Sequence, residues 1–118
     1  QSWAEKMAQT KRIQHSPSNW RQLNGITLGE NLTSLHDEML TGEIMMDQWY
    51  EESKAHNYAG DFQVNSQNFS QMIWKNSSEV GFGVQKSPKE NWWYGVAVYA
   101  PAGNISGQFY ENVSPPIY

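Results

Sequence analysis

Residues 92–99 read Trp-Trp-Tyr-Gly-Val-Ala-Val-Tyr, a stretch without charge or proline that is rich in β-forming residues. Apolar side chains occur on both of its faces, which is typical of a strand that helices cover on both sides. If exposed, a strand of this composition would tend to aggregate or to pair with other chains. We therefore predict a central, buried strand from Trp92 to Tyr99.

The residues before this strand predict its partner. Val80, Phe82 and Val84 alternate with glycine and glutamine, which is the period of a strand with one buried face. Residues 87–91 contain a proline and predict the turn of an antiparallel hairpin. Residues 109–113 predict a further short strand, which Pro115-Pro116 would end.

The amino-terminal part of the chain predicts helices. Ser2 is a capping residue for a first helix, which should end near His15 because Pro17 disfavours helix in the residue before it. Residues 16–29 contain several turn-forming residues and predict a loop.

Two more helices follow in the sequence. Apolar residues at helical spacing predict a second helix from about Gly42 to Ala55. A third, shorter helix is predicted after Asn65 or Ser66, either of which can cap it, and it contains Phe69, Met72 and Ile73. Helices followed by an antiparallel hairpin predict an α+β fold.

Composition excludes several classes of function. The 118 residues carry a net charge of −4 and no cluster of basic residues, so we expect no nucleic acid partner. Cysteine is absent, which excludes disulfides, thiolate metal sites and a cysteine nucleophile. Its absence favours an intracellular compartment or the cytosolic surface of a membrane, with secretion as the alternative.

Four segments occur in a fixed order along the chain: Gly29-Glu30-Asn31-Leu32, Trp49-Tyr50-Glu51-Glu52, residues 68–74 and residues 99–105. Together they resemble the signatures of the CAP superfamily of cysteine-rich secretory, antigen 5 and pathogenesis-related proteins. The lack of cysteine and the ending 111–116 are similar to its Golgi-associated plant pathogenesis-related branch. The matching structural positions are Asn31, Trp49, Gln71, Trp74, Gly103 and Asn104.

This resemblance implies an α-β-α sandwich with a surface cavity that holds two histidines and two acidic residues. By motif these positions are His15, Glu30, Glu52 and, where the family has its second histidine, Asn68. The resemblance begins at the family's second helix. We therefore expect residues 1–118 to be a single, N-terminally short CAP domain, with an apolar patch exposed where the first helix would lie.

The chemistry of these four residues argues against a strong zinc site. Zinc prefers imidazole and thiolate, whereas an amide oxygen such as that of Asn68 suits harder cations. We predict a polar pocket that requires no cofactor and binds a divalent metal weakly, with His15 as its ligand. Alternatively, His15 only caps the last carbonyls of the first helix.

The resemblance implies binding without catalysis, with a lipid, a sterol or a protein as partner. No serine lies in a nucleophile elbow and no HExxH motif occurs, so we expect no catalytic residue. A homodimer is the form of self-association that we expect. The alternatives are a metal-dependent hydrolase that uses the His and Glu side chains, and a secreted structural protein that assembles with itself.

Some other residues have more than one interpretation. We expect His36 and His56 to be exposed, and Met39, Met45 and Met46 to belong to the core rather than to a lipid-contacting face. Sequons for N-glycosylation occur at five asparagines, which secretion would make candidates for glycans but which also suit turns and caps. They are Asn31, Asn68, Asn76, Asn104 and Asn112.

Overall fold

The computed structural model describes residues 1–10, 13–23, 25–61, 63–88 and 90–114. In these ranges the chain forms four α-helices and five strands. The helices are α1 (Ser2–Thr10), α2 (Gly42–Glu51), α3 (Gln67–Ile73) and α4 (Phe109–Asn112). The strands are β1 (Gln22–Leu23), β2 (Ile26–Thr27), β3 (Gly29–His36), β4 (Glu79–Lys86) and β5 (Trp92–Ala100). Short 3-10 helices cover Ser18–Arg21, Glu52–Ala55 and Val64–Ser66.

The main sheet has three antiparallel strands in the order β3-β5-β4. The predicted strand at residues 92–99 is therefore central, as its sequence indicates, and it pairs with β3 from Gly29↔Tyr99 to His36↔Trp92. On its other side it pairs with β4 from Glu79↔Ala100 to Lys86↔Trp93. β1 and β2 form a separate two-stranded hairpin.

Helices cover both faces of this sheet, so the architecture is an α-β-α sandwich. Ala4, Met7 and Ala8 of α1 pack on Tyr94 and Val96 on one face. The opposite face carries a second core cluster, which α2 covers. Its buried members are Leu40, Met45, Trp49, Ala97 and Tyr99. Alternate side chains of β5 thus serve two different cores, which explains why both of its faces are apolar.

The first helix is shorter than predicted. α1 ends at Thr10, and the chain folds back so that the indole nitrogen of Trp3 donates to the carbonyl of Gln14 at 2.8 Å. A helix that continued to His15 would carry that carbonyl well beyond the reach of the Trp3 ring. The helix also begins at Ser2 itself, with the carbonyl of Gln1 accepting from the amide of Glu5, so Ser2 does not precede it.

The second and third helices lie close to their predicted positions. α2 ends at Glu51, and a 3-10 helix completes the predicted range to Ala55. Its N-cap is Thr41, whose hydroxyl accepts from the amide of Ile44 at 3.2 Å. Ser66 precedes α3 but makes no side-chain cap; its hydroxyl bonds to Nδ1 of His56 instead.

Two predictions from residues 16–36 and 109–113 are wrong. The loop predicted over residues 16–29 contains a 3-10 helix and the β1–β2 hairpin, and it leads into strand β3, which the prediction omitted. The predicted strand at residues 109–113 is helix α4, where the amide of Val113 donates to the carbonyl of Phe109. Phe109 and Val113 lie one helical turn apart and pack with Trp74 in one buried cluster. Pro115-Pro116 lie outside the described residues.

The burial of β4 also differs from its prediction. Val80 is 50% exposed and Phe82 is 45% exposed, although the alternation predicted that this face is buried. β4 is one of the two edge strands, and it is α1, on the opposite face, that packs against it. This edge of the sheet therefore presents apolar side chains to solvent.

Candidate functional site

The four predicted cavity residues form two hydrogen-bonded pairs. In the first pair, Nδ1 of His15 lies 2.9 Å from Oε1 of Glu30. In the second pair, Nδ2 of Asn68 donates to Oε2 of Glu52 at 2.9 Å. The part of the chain that the structure describes contains no hydrogen bond that joins one carboxylate pair directly to the other. That all four side chains line one hollow stays a prediction.

Glu30 is buried inside a shell of donors. Its side chain is 2% exposed, whereas that of His15 is 56% exposed. The amide of Ser16 donates to Oε1 at 2.9 Å and the hydroxyl of Ser16 donates to Oε2 at 2.6 Å. Ser16, which directly follows His15, was not predicted as part of the site. Both carboxylate oxygens are therefore engaged by neighbouring groups of the chain.

These contacts determine the charge of Glu30. Burial opposes ionisation and by itself raises the pKa of Glu30, but the hydrogen bonds from His15 and Ser16, together with the attraction of His15, outweigh it. The net result is a pKa below the ordinary value for glutamate. Glu30 is thus ionised at neutral pH and acts as a structural hydrogen-bond acceptor rather than as a general base.

Glu52 performs a similar structural task for α3. It begins the 3-10 helix that follows α2, and its Oε1 accepts the amide of Phe69 at 2.9 Å. A carboxylate that accepts an amide in the first turn of a helix satisfies a donor that has no partner within the helix. Since Oε2 accepts from Asn68, Glu52 also has both oxygens engaged.

Asn31 connects the strand that carries Glu30 to the helix that carries Asn68. Its side chain is buried, and Nδ2 donates to the carbonyl of Asn68 at 2.8 Å and to the hydroxyl of Tyr99 at 3.4 Å. Burial raises the pKa of Tyr99 to about 12, partly offset by the hydrogen bond from Asn31. Tyr99 therefore stays neutral beside the site. The sequence places Tyr99 in a signature segment but does not indicate its contact with Asn31.

Two of the other predicted structural positions, Gly103 and Asn104, form hydrogen bonds between the turn at residues 101–104 and α3. Gln71 accepts from the amide of Gly103 at 2.7 Å, and Asn104 donates to the carbonyl of Gln67 at 2.8 Å. Asn104 adopts a φ of 55°, which asparagine tolerates better than most residues. Trp49 donates to the carbonyl of Leu32 at 3.1 Å, and Trp74 is buried against Phe109.

The residues present do not fit a resident metal ion. Among the described residues, no three His, Cys, Asp or Glu side chains form a group that could hold a metal. Glu30 is almost completely buried, and the acceptor oxygens of both glutamates already bind donors of the chain. His15 therefore lacks the set of neighbouring free donors that zinc requires.

The same geometry does not supply a catalytic triad. In a triad the serine hydroxyl bonds to the imidazole, which removes its proton. Here the hydroxyl of Ser16 and the imidazole of His15 both bond to Glu30. No base is therefore placed to activate Ser16, which is itself buried.

The predictions for the remaining histidines and methionines are correct only in part. His36 is exposed, as predicted, and stacks on Trp92 with ring centroids 4.6 Å apart. His56 is buried between Tyr58 and Phe69, so the prediction of an exposed residue is wrong, and burial lowers the pKa of His56.

The methionines divide between the core and the surface. Met45 is buried, in agreement with the prediction of a core residue. Met39 and Met46 are exposed, so that prediction is wrong for both. Met46 directly follows Met45 in α2, and neighbouring residues of a helix do not share a face.

Known proteins are similar to this chain in sequence. A family model described as "Cysteine-rich secretory protein family", or CAP, matches residues 1–99. The human Golgi-associated plant pathogenesis-related protein 1 is 37% identical over 120 residues, which cover 98% of this chain and 73% of the human protein. Protein PRY2 of Saccharomyces cerevisiae is 36% identical over 93 residues, which cover 78% of this chain and 27% of the yeast protein.

Solved structures show the same fold. The structure of BmVAL-1 is similar with a TM-score of 0.72 and 22% identity, over 98% of this chain and 61% of that one. A crystal structure titled NaASP2 with Zn²⁺ is similar with a TM-score of 0.68 and 25% identity, over 97% of this chain and 63% of that one. This chain thus spans less than two thirds of the yeast protein and of both solved chains.

The helices of the described part of the chain are all too short or too polar to cross a lipid bilayer. The family match, the human relative and the shared sandwich fold agree with one another. The chain belongs to the cysteine-rich secretory protein (CAP) family.

Proposed function

We propose that this chain is a non-enzymatic CAP binding domain, whose ligands are lipid or sterol molecules or protein partners, including a second copy of itself. The observation that carries the proposal is the engagement of both cavity carboxylates. Glu30 and Glu52 use all four of their oxygens to hold Ser16, His15, Asn68 and the start of α3. Each carboxylate is therefore committed to hydrogen bonds that hold the local fold, which argues against a role as a general base or as a metal ligand.

A metal-dependent hydrolase is the competing proposal, and zinc titration separates the two. Because Asn68 replaces an imidazole by an amide, we expect isothermal calorimetry to detect weak zinc binding or none. Replacing Asn68→His supplies a second imidazole and should raise zinc affinity on the order of tenfold. Tight zinc binding by the unmodified chain that His15→Ala abolishes would contradict the proposal that these residues form a poor zinc site.

Native mass spectrometry of the protein from its own source tests the ligand class directly. We expect a mass increment that corresponds to a co-purified lipid or sterol, or a mass that corresponds to a protein complex. A stoichiometric zinc ion that survives desalting would instead support the hydrolase proposal.

The half-exposed apolar edge at Val80 and Phe82 supports the proposal of a binding surface for protein. Both residues lie on β4, whose outer edge carries no further strand of the described chain. Apolar side chains along an open strand edge favour pairing with another chain. We propose that a second copy covers this edge.

Light scattering tests this self-association. We expect a concentration-dependent mass above the 13.6 kDa of one chain, and a shift toward a monomer in Phe82→Ser. Tyr110→Ser removes an aromatic side chain that is also exposed but lies on α4 and not on β4, so it should leave the mass unchanged. A monomer at every concentration would rule out pairing between copies.

A further inference from the structure

The five N-glycosylation sequons differ in the environment of the atom that would carry the sugar. A glycan bonds to Nδ2 of the asparagine, so this atom needs open space around it. The third residue of each sequon supplies a hydroxyl. The sequons are Asn31-Leu32-Thr33, Asn68-Phe69-Ser70, Asn76-Ser77-Ser78, Asn104-Ile105-Ser106 and Asn112-Val113-Ser114.

At four of these asparagines Nδ2 already donates a hydrogen bond inside the fold. Its acceptors are three backbone carbonyls and one carboxylate, at distances between 2.8 and 2.9 Å. The pairs are Asn31 with Asn68, Asn68 with Glu52, Asn104 with Gln67, and Asn112 with Gln108.

Burial adds to this obstruction. Asn31 and Asn112 are buried, while Asn68 and Asn104 are half-buried. A sugar at any of the four would have to displace packed neighbours as well as disturb a hydrogen bond that positions a helix, a strand or a turn. We infer that the native fold is incompatible with a glycan at these four positions.

Asn76 is different in each of these respects. It lies in the turn between α3 and β4, and its side chain is exposed. No residue of the described ranges forms a hydrogen bond with its side-chain amide. Its backbone is nevertheless fixed, because its amide N–H donates to Oδ1 of Asn112 at 3.0 Å. A sugar on Nδ2 of Asn76 would therefore extend into solvent without disturbing the fold.

We propose that Asn76 is the single glycan-bearing residue of this chain when it enters a compartment with an oligosaccharyltransferase. The donor is a polyprenyl-diphosphate-linked oligosaccharide. Nδ2 of Asn76 forms a bond to C1 of the first sugar and loses a proton. The bond between C1 and the phosphate oxygen breaks, and the polyprenyl diphosphate leaves with the electron pair, so no oxidant or reductant is required.

The test is secretion of the full chain from yeast behind a cleavable signal peptide, with and without removal of N-glycans by a glycosidase. We expect the folded, secreted protein to carry one glycan, which Asn76→Gln and Ser78→Ala both abolish. Ser78→Thr is the matched control: it alters the same exposed residue but retains a hydroxyl, so the glycan should persist.

Glycopeptide mapping decides the attachment site independently of these variants. A folded, secreted chain without a glycan would overturn the proposal. A glycan that persists in Asn76→Gln, or one mapped to any of the other four asparagines in folded material, would overturn it equally. Asn76→Gln should fold normally, because the side chain that it replaces makes no hydrogen bond with the described residues.

Discussion

Replacing Glu30→Gln is expected to lower the free energy of unfolding by about 2–4 kcal/mol at neutral pH. Glutamine has nearly the same shape, but one of its terminal groups is an NH₂ that donates. In the fold, both oxygens of Glu30 face donors from His15 and Ser16. The variant therefore loses the charge that strengthens these hydrogen bonds, and its NH₂ group can be accommodated only if the Ser16 hydroxyl turns from donor to acceptor, in a site that is almost closed to water. Urea denaturation of both proteins measures the difference.

The effect of this substitution should depend on pH in a defined direction. Because the pKa of Glu30 is lower in the folded chain than the ordinary value of 4.5, folding favours the ionised form. The stabilisation is complete above that ordinary value and is lost as the pH falls through the folded pKa. The difference between the two proteins should therefore stay constant from neutral pH down to the ordinary value of 4.5, and shrink as the pH falls further through the lowered pKa of the folded chain.

Glu79→Gln is the control for this experiment. Glu79 also lies on a strand of the main sheet, but its side chain is exposed, so the change should alter stability by less than about 0.5 kcal/mol. If Glu30→Gln is as stable as the unmodified protein at neutral pH, the carboxylate does not hold the loop at residues 15–16 through these hydrogen bonds.

The elements that could be predicted from sequence are those whose local pattern agrees with their final packing. β5 has apolar residues on both faces because it is central, and α2 has its apolar residues at helical spacing because one face meets the sheet. At these elements, propensity and burial favour the same structure.

β3 could not be predicted because its alternation is not one of apolar and polar residues. The side chains of β3 that face the helices include Asn31, which forms a hydrogen bond with Asn68 of α3, and Thr33, which forms one with Gln48 of α2. Because these side chains are polar, the sequence shows no strand pattern here. The strand is defined by its pairing with β5. Similarly, His56 lies in a polar sequence, but Tyr58 and Phe69 fold around it.

The candidate site was predictable as a set of residues and not as an arrangement. The resemblance gave His15, Glu30, Glu52 and Asn68, but it could not show that both oxygens of each carboxylate accept hydrogen bonds. Besides His15 and Asn68, the donors are the backbone and hydroxyl of Ser16 and the amide of Phe69. Backbone amides leave no mark in a sequence, since every residue except proline has one.

Replacing Gln71→Ala is expected to lower the free energy of unfolding by about 2–4 kcal/mol. Gln71 is buried between α3 and the turn at residues 101–104, and it accepts from the amide of Gly103. The side-chain nitrogen Nε2 of Gln71 donates to the hydroxyl of Ser77 at 3.1 Å. Alanine would leave a cavity and two polar groups without their partner. Chemical denaturation measures the loss.

Gly103 explains why no side chain from the turn can easily fill the cavity that Gln71→Ala would leave. A Cβ atom at Gly103 would lie 2.7 Å from Nε2 of Gln71 and 2.8 Å from Cγ of Trp74. The turn therefore approaches α3 without a side chain of its own at this point, and Gln71 alone occupies the space. Because the ring of Trp74 is rigid, shortening Gln71 should not make room for Gly103→Ala.

A double-mutant cycle with Ser77→Ala distinguishes a network from separate contacts. The hydroxyl of Ser77 accepts from Gln71 and donates to the carbonyl of Pro101 at 2.8 Å, so it connects α3 to the turn. The unfolding free energy lost in the double variant should be smaller than the sum of the two single losses by about 1 kcal/mol. Gln9→Ala, on the exposed face of α1, should have little effect. If the losses of unfolding free energy are additive, Gln71 and Ser77 stabilise the turn independently. The turn would then depend more on packing against Trp74 than on this chain of hydrogen bonds.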